Sequence, residues 1–145
     1  MTTVNVESYF KSFGDFIGLG LQDQINGFEE RTQGLKLIPK EDTFYAKGFF
    51  QPEIADKLYF FNQSRMKVVE IETGRKNYIE NIIIREYKYN QLENVLLKVS
   101  ADTKVNLSFG IQEEVIEFNN TTDSGGNWIN PLGKQIIQIH NLITN

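Results

Sequence analysis

The chain has 145 residues, 40% of them hydrophobic and 23% charged, with a formal net charge of −4. That length and balance fit one folded domain with its own core and exclude a disordered chain. Lys and Arg are scattered, which argues against nucleic-acid phosphates as a partner, and the absence of cysteine removes disulfides, thiolate zinc sites and cysteine nucleophiles together.

Residues 4–17 read as a helix, because Val6, Tyr9, Phe10, Phe13 and Ile17 recur at spacings that share one face. The stretch from Gly18 to Gly34 reads either as a short second helix, with Leu19, Leu21, Ile25 and Phe28, or as an extended arm. From Leu35 the pattern becomes β. Short strands are expected over 35–38, 43–50, 58–61, 66–72, 79–87, 92–99, 105–109 and 115–118, with a turn at 62–65. Ile82, Ile83 and Ile84 form a β-branched run expected to be covered on both faces. Gly110 is expected to form a turn, and 119–127 an open polar loop. Asn130-Pro131 then starts a helix, Asn as cap and Pro in the first turn, and Leu132, Ile136, Ile139 and Ile143 form its buried stripe.

No apolar run is long enough to span a membrane, and no basic segment followed by an apolar stretch marks a signal peptide. A cytoplasmic setting is therefore expected. Sequons at Asn62, Asn106 and Asn120 are read as chance.

Catalytic chemistry finds little material. The single histidine, His140, lies in the last helix beside Ile139 and reads as structural. One histidine and no cysteine leave no expected transition-metal site, and no cofactor is expected. The acid pairs Glu29-Glu30, Glu41-Asp42 and Glu113-Glu114 adjoin turns and read as solvated loops. Asp123-Ser-Gly-Gly126 lacks the lysine of a phosphate loop and reads as exposed flexibility before the helix. Phe49-Phe50 and Tyr59-Phe60-Phe61 place adjacent rings on opposite faces, so some must point away from a one-sided core.

Three stretches carry a resemblance. Leu58-Tyr-Phe-Phe-Asn-Gln-Ser-Arg-Met-Lys-Val-Val69 reads as apolar strand, basic turn and second apolar strand. Tyr87-Lys-Tyr-Asn-Gln-Leu-Glu-Asn-Val95 reads as an aromatic-polar-aromatic lead into a strand, and Trp128 to Ile143 as a closing helix. Together, over residues 35–143, they resemble a bacterial pleckstrin-homology-like domain. The resemblance implies an α+β fold, two antiparallel sheets of seven strands forming a sandwich or barrel closed by a C-terminal helix, here with an added N-terminal helical extension over 1–34. In phosphoinositide-binding members a basic cluster near the first hairpin holds phosphates. Lys47, Lys57, Arg65 and Lys67 would supply it, but Gln51 to Asp56 places two acids in that connection, so lipid binding is not expected.

The expected function is that of a small binding module without catalytic activity. A protein partner or self-association would engage Tyr9, Phe10, Phe13, Phe49 and Phe50. The alternatives are an α+β cone-type ligand-binding protein or enzyme, and a membrane-surface lipid binder.

Overall fold

A computed structural model describes residues 5–6, 21–34, 36–47, 57–74, 78–124 and 126–145. In chain order these form helix α1 (Leu21–Arg31), strands β1 (Thr43–Ala46), β2 (Lys57–Phe61), β3 (Arg65–Thr73), β4 (Ile79–Lys88), β5 (Glu93–Val99), β6 (Val105–Ile111) and β7 (Glu114–Asn119), and helix α2 (Ile129–Thr144). The strands make two antiparallel sheets, β1-β2-β3-β4 and β5-β6-β7. No ladder joins the sheets among the described residues, so they face each other without closing a barrel.

Alternation along each strand decides what the sheets bury. The register pairs Tyr45 with Tyr59, Tyr59 with Val68, Phe61 with Met66 and Met66 with Tyr87, placing these on one face. That face meets the inner side of the smaller sheet through aromatic rings. Phe118 stacks on Tyr45 at 3.9 Å and takes the edges of Tyr59, Phe61 and Phe109 at 5.0, 6.0 and 5.7 Å. The opposite face carries Phe44, Leu58, Phe60, Val69 and Ile71, which are buried as well and share one apolar cluster with Val6, Ile25 and Ile38. Burial on both faces is why Tyr59, Phe60 and Phe61 all lie in the core although they are consecutive.

Residues 21–31 resolve the open choice in favour of a helix. Asp23 in its first turn and Arg31 in its last complement the helix dipole. Its C-terminus is closed by Gly34, whose φ of 79° suits glycine and whose N–H donates to Glu29 O at 2.9 Å. Gln24 Oε1 accepts from Ile79 N–H at 2.8 Å and ties the helix to the start of β4. Of the stripe expected over 4–17, only Val6 is described; it is helical and buried.

Several expectations are corrected. Residues 36–38 form no strand, because the Leu37 N–H is taken by the Glu29 carboxylate at 2.6 Å instead of a neighbouring strand. β4 is an edge strand, so Ile82 and Ile83 are half-buried and Ile84 exposed, not covered on both sides. Gly110 lies inside β6, and the turn falls at Gln112-Glu113, where Gln112 adopts a φ of 55°. Asn130 is not the cap of α2: the helix begins at Ile129 after a short 3-10 turn over Gly126–Trp128. The stripe itself is as expected, with Leu132, Ile136, Ile139 and Ile143 buried.

The loop over 119–124 is ordered, contrary to expectation. Asn120 is 1% exposed: its Oδ1 accepts from Val105 N–H at 2.8 Å and its Nδ2 donates to Thr103 O and Ile129 O. Asn119 Oδ1 accepts from Thr121 N–H and Oγ1, and Ser124 Oγ donates to Asn120 O. Asp123 is buried and accepts from the Tyr45 hydroxyl and from Asn119 N–H. These bonds seat α2 at the Val105–Asn120 end of the smaller sheet.

Two substitutions test this end. Ile136→Ala should lower unfolding free energy by about 2–5 kcal/mol, read from denaturant midpoints. A Cβ added at Gly133 would meet Asn120 Nδ2 at 2.9 Å and Val105 Cγ2 at 3.3 Å. Gly133→Ala should therefore destabilise by about 1–3 kcal/mol, although alanine is the better helix former by about 1 kcal/mol.

Candidate functional site

At the far end of β6 and β7 from α2 the two sheets diverge around a cleft of about 290 Å³. Its lining comes from both sheets: Lys57 and Tyr59 on β2, Val68 and Glu70 on β3, Arg85 and Tyr87 on β4, and Ile111, Gln112, Glu114 and Ile116 around the β6–β7 turn. Strand alternation selects this set. Lys57, Tyr59, Val68, Glu70, Arg85 and Tyr87 continue the face that buries the ring cluster, and toward the strand ends the apolar rows give way to charge.

The floor is apolar and the rim is charged. Tyr59, Val68, Ile111 and Ile116 are each buried. Arg85 Nη1 donates to Glu70 Oε2 at 3.0 Å, and this bond, with the attraction behind it, raises the guanidinium above its ordinary pKa. Lys57 Nζ lies 3.9 Å from Glu114 Oε1 and links the two sheets across the opening. Burial, followed by the Glu114, Asp123 and Glu70 carboxylates, pushes the Tyr59 phenol up to about 12. It therefore stays a neutral hydroxyl at physiological pH.

The four cations that the resemblance would gather do not form one patch. Arg65 and Lys67 lie on the opposite face of the larger sheet from Lys57 and pair with Glu86 at 3.2 and 3.3 Å. Lys47 donates to Glu117 O and sits 4.0 Å from Asp123. Tyr9, Phe10, Phe13, Phe49 and Phe50 lie outside the described residues.

The other sequence candidates are dispersed. His140 is half-buried on α2, with its backbone carbonyl accepting from Thr144 Oγ1. Among the described residues no group of three or more His, Asp or Glu side chains could hold a metal ion. Glu29 belongs to α1 and fixes Leu37, so the pair 29–30 is helical, not a loop. Glu114 is the one member of the three acid pairs that reaches the cleft. Asp123 is held by Tyr45, whose phenol is driven far above its ordinary range by burial and by that carboxylate. No helix of the described residues is long and apolar enough to cross a membrane.

Sequence reading missed the cleft. Its residues come from five strands and a turn, and the only signal was that Lys57, Tyr59, Val68 and Glu70 share one parity in a hairpin whose turn was legible.

The Tyr59 shift has a pH consequence. Its native pKa of about 12 exceeds the ordinary 10, so its contribution is complete below pH 10 and lost as pH rises through 12. At about 1.36 kcal/mol per unit this amounts to about 3 kcal/mol. Tyr59→Phe should lessen the alkaline fall in stability over that window without abolishing it, because the Tyr45 and Tyr89 phenols are raised as well; the measurement is denaturant midpoint against pH.

Comparison with known proteins gives one family. No curated protein and no solved structure matches significantly. The family model described as "Protein of unknown function (DUF3908)" matches residues 21–132. That span opens at the first residue of α1, closes in the first turn of α2 and contains every residue lining the cleft. It covers well over half of the chain, which therefore belongs to this family of proteins of unknown function.

Proposed function

We propose that the protein is a non-catalytic binding module of pleckstrin-homology-like fold that takes its ligand in the cleft between the two sheets. The observation that carries the reading is the contrast between the ends of the sheet pair. One end is sealed by α2 and the Asn120 and Asp123 bonds, whereas the other opens as a cleft with an apolar floor and polar rim. The division of seven antiparallel strands into four and three, with a helix following the last, supports the fold assignment.

One observation favours the enzymatic alternative: two carboxylates, Glu70 and Glu114, line the same cleft. Their setting suits binding better. Glu114 is 69% exposed and Glu70 is bound to Arg85, so neither occupies the dry apolar surroundings that catalytic acids use. The membrane-surface alternative loses support from the split of Arg65 and Lys67 from Lys57. A cytoplasmic setting fits the cysteine-free composition.

Titrating the isotope-labelled chain with a small-fragment mixture tests the reading. Amide shifts should gather on β2, β3, β4 and the β6–β7 turn, and disappear in Ile116→Phe, which fills the floor. Shifts confined to other surfaces would overturn the cleft, and turnover of a bound fragment would overturn the non-catalytic assignment.

A further inference from the structure

The rim charges form an alternating row. Glu114 on β7 faces Lys57 on β2 at 3.9 Å, Lys57 is the direct cross-strand neighbour of Glu70 on β3, and Glu70 meets Arg85 on β4 at 3.0 Å. The sequence across the opening is minus, plus, minus, plus. The outer members are the more exposed, Glu114 at 69% and Arg85 at 50%, and the inner members less so, Lys57 at 37% and Glu70 at 26%. Each inner charge is paired outward, Lys57 with Glu114 and Glu70 with Arg85. The two inner charges therefore stand side by side over the floor of Val68, Ile111 and Ile116.

Such a row discriminates by charge pattern. A ligand of one sign meets as many repulsive as attractive groups. A ligand carrying both signs a few ångströms apart can match the inner pair. Exposed ion pairs hold each other weakly, so the row yields readily to a better-placed partner. The cleft volume of about 290 Å³ lies at the small end of the range for ligand sites. Most of the exposed lining is polar, and the floor of Val68, Ile111 and Ile116 is largely covered, so it leaves a small apolar patch that suits a short hydrocarbon group.

Resting on the cleft-binding reading above, we infer that the ligand is a compact zwitterion with an apolar side chain, of the class of a free apolar α-amino acid. Its carboxylate lies against Lys57, its ammonium against Glu70, and its side chain on Val68, Ile111 and Ile116.

The test uses the full chain and three probes of similar shape: L-leucine, 4-methylpentanoate, which lacks the ammonium, and 3-methylbutylamine, which lacks the carboxylate. Amide shifts around the cleft should report leucine binding at least roughly tenfold tighter than either single-charge compound, as expected when a matched charge pair is halved. Lys57→Gln should remove the advantage of leucine over the amine, and Glu70→Gln its advantage over the acid, each with an unchanged melting temperature. If either variant fails to fold, the three-probe comparison on the natural chain decides alone. Equal binding of leucine and one single-charge probe overturns the zwitterion and leaves cleft binding standing. Silence at the cleft from all three probes overturns the zwitterion, and silence from the fragment mixture as well overturns both readings.

Discussion

Phe118 is the side chain on which the arrangement of the sheets depends. It lies on β7 with no exposed surface and meets rings from β1, β2 and β6. Edge-to-face and offset contacts of this kind are directional, so the three that cross to Tyr45, Tyr59 and Phe61 fix the separation and the relative orientation of the sheets together. No backbone ladder does that here, since none crosses from one sheet to the other among the described residues. Both ends of the sheet pair hang from the same short strand. Ile116, two residues earlier on the same face, lines the cleft, and Asn119 and Asn120, directly after, begin the bonds that seat α2.

The helix end shows how a polar segment can be buried without penalty. A buried amide or carboxylate is tolerated only when its bonds are made inside the protein. Asn120 meets that condition with three bonds, and Asp123 with the Tyr45 hydroxyl and the Asn119 N–H. Gly133 belongs to the same solution, because only a residue without a side chain leaves space for the Asn120 amide beneath α2. The glycine that weakens the helix locally thus permits the contact that anchors it.

Strands and the terminal helix were legible because their signals are local. Alternation at Val105 to Phe109, the Asn62 turn and the stripe from Leu132 to Ile143 each appear within a few residues. What escaped was long-range. Position 37 looked like strand until Glu29, eight residues away, took its N–H. Ile82 to Ile84 looked doubly buried because composition cannot tell a central strand from an edge. The segment 119–124 has the composition of an open loop, yet its polar side chains point inward to partners up to 78 residues away. The cleft was invisible for the same reason: its charges become neighbours only when β2 and β7 are brought together.

The two ends of the sheet pair use polar groups in opposite ways, and this bears on where a ligand can act. At the α2 end the Asn120 and Asp123 side chains are buried and bonded to backbone groups and to the Tyr45 hydroxyl, so any visitor would have to break buried bonds. At the cleft end the polar atoms are charged, partly solvated and bonded to flexible side chains, so a visitor exchanges one weak partner for another. The ring cluster lies between the two regimes. A binding site that must release its ligand belongs where the existing interactions are replaceable and the scaffold beneath them is not. On the cleft-binding reading proposed above, that combination is met where Lys57 and Glu70 lie beside Val68 and Ile116, one layer from the Phe118 rings.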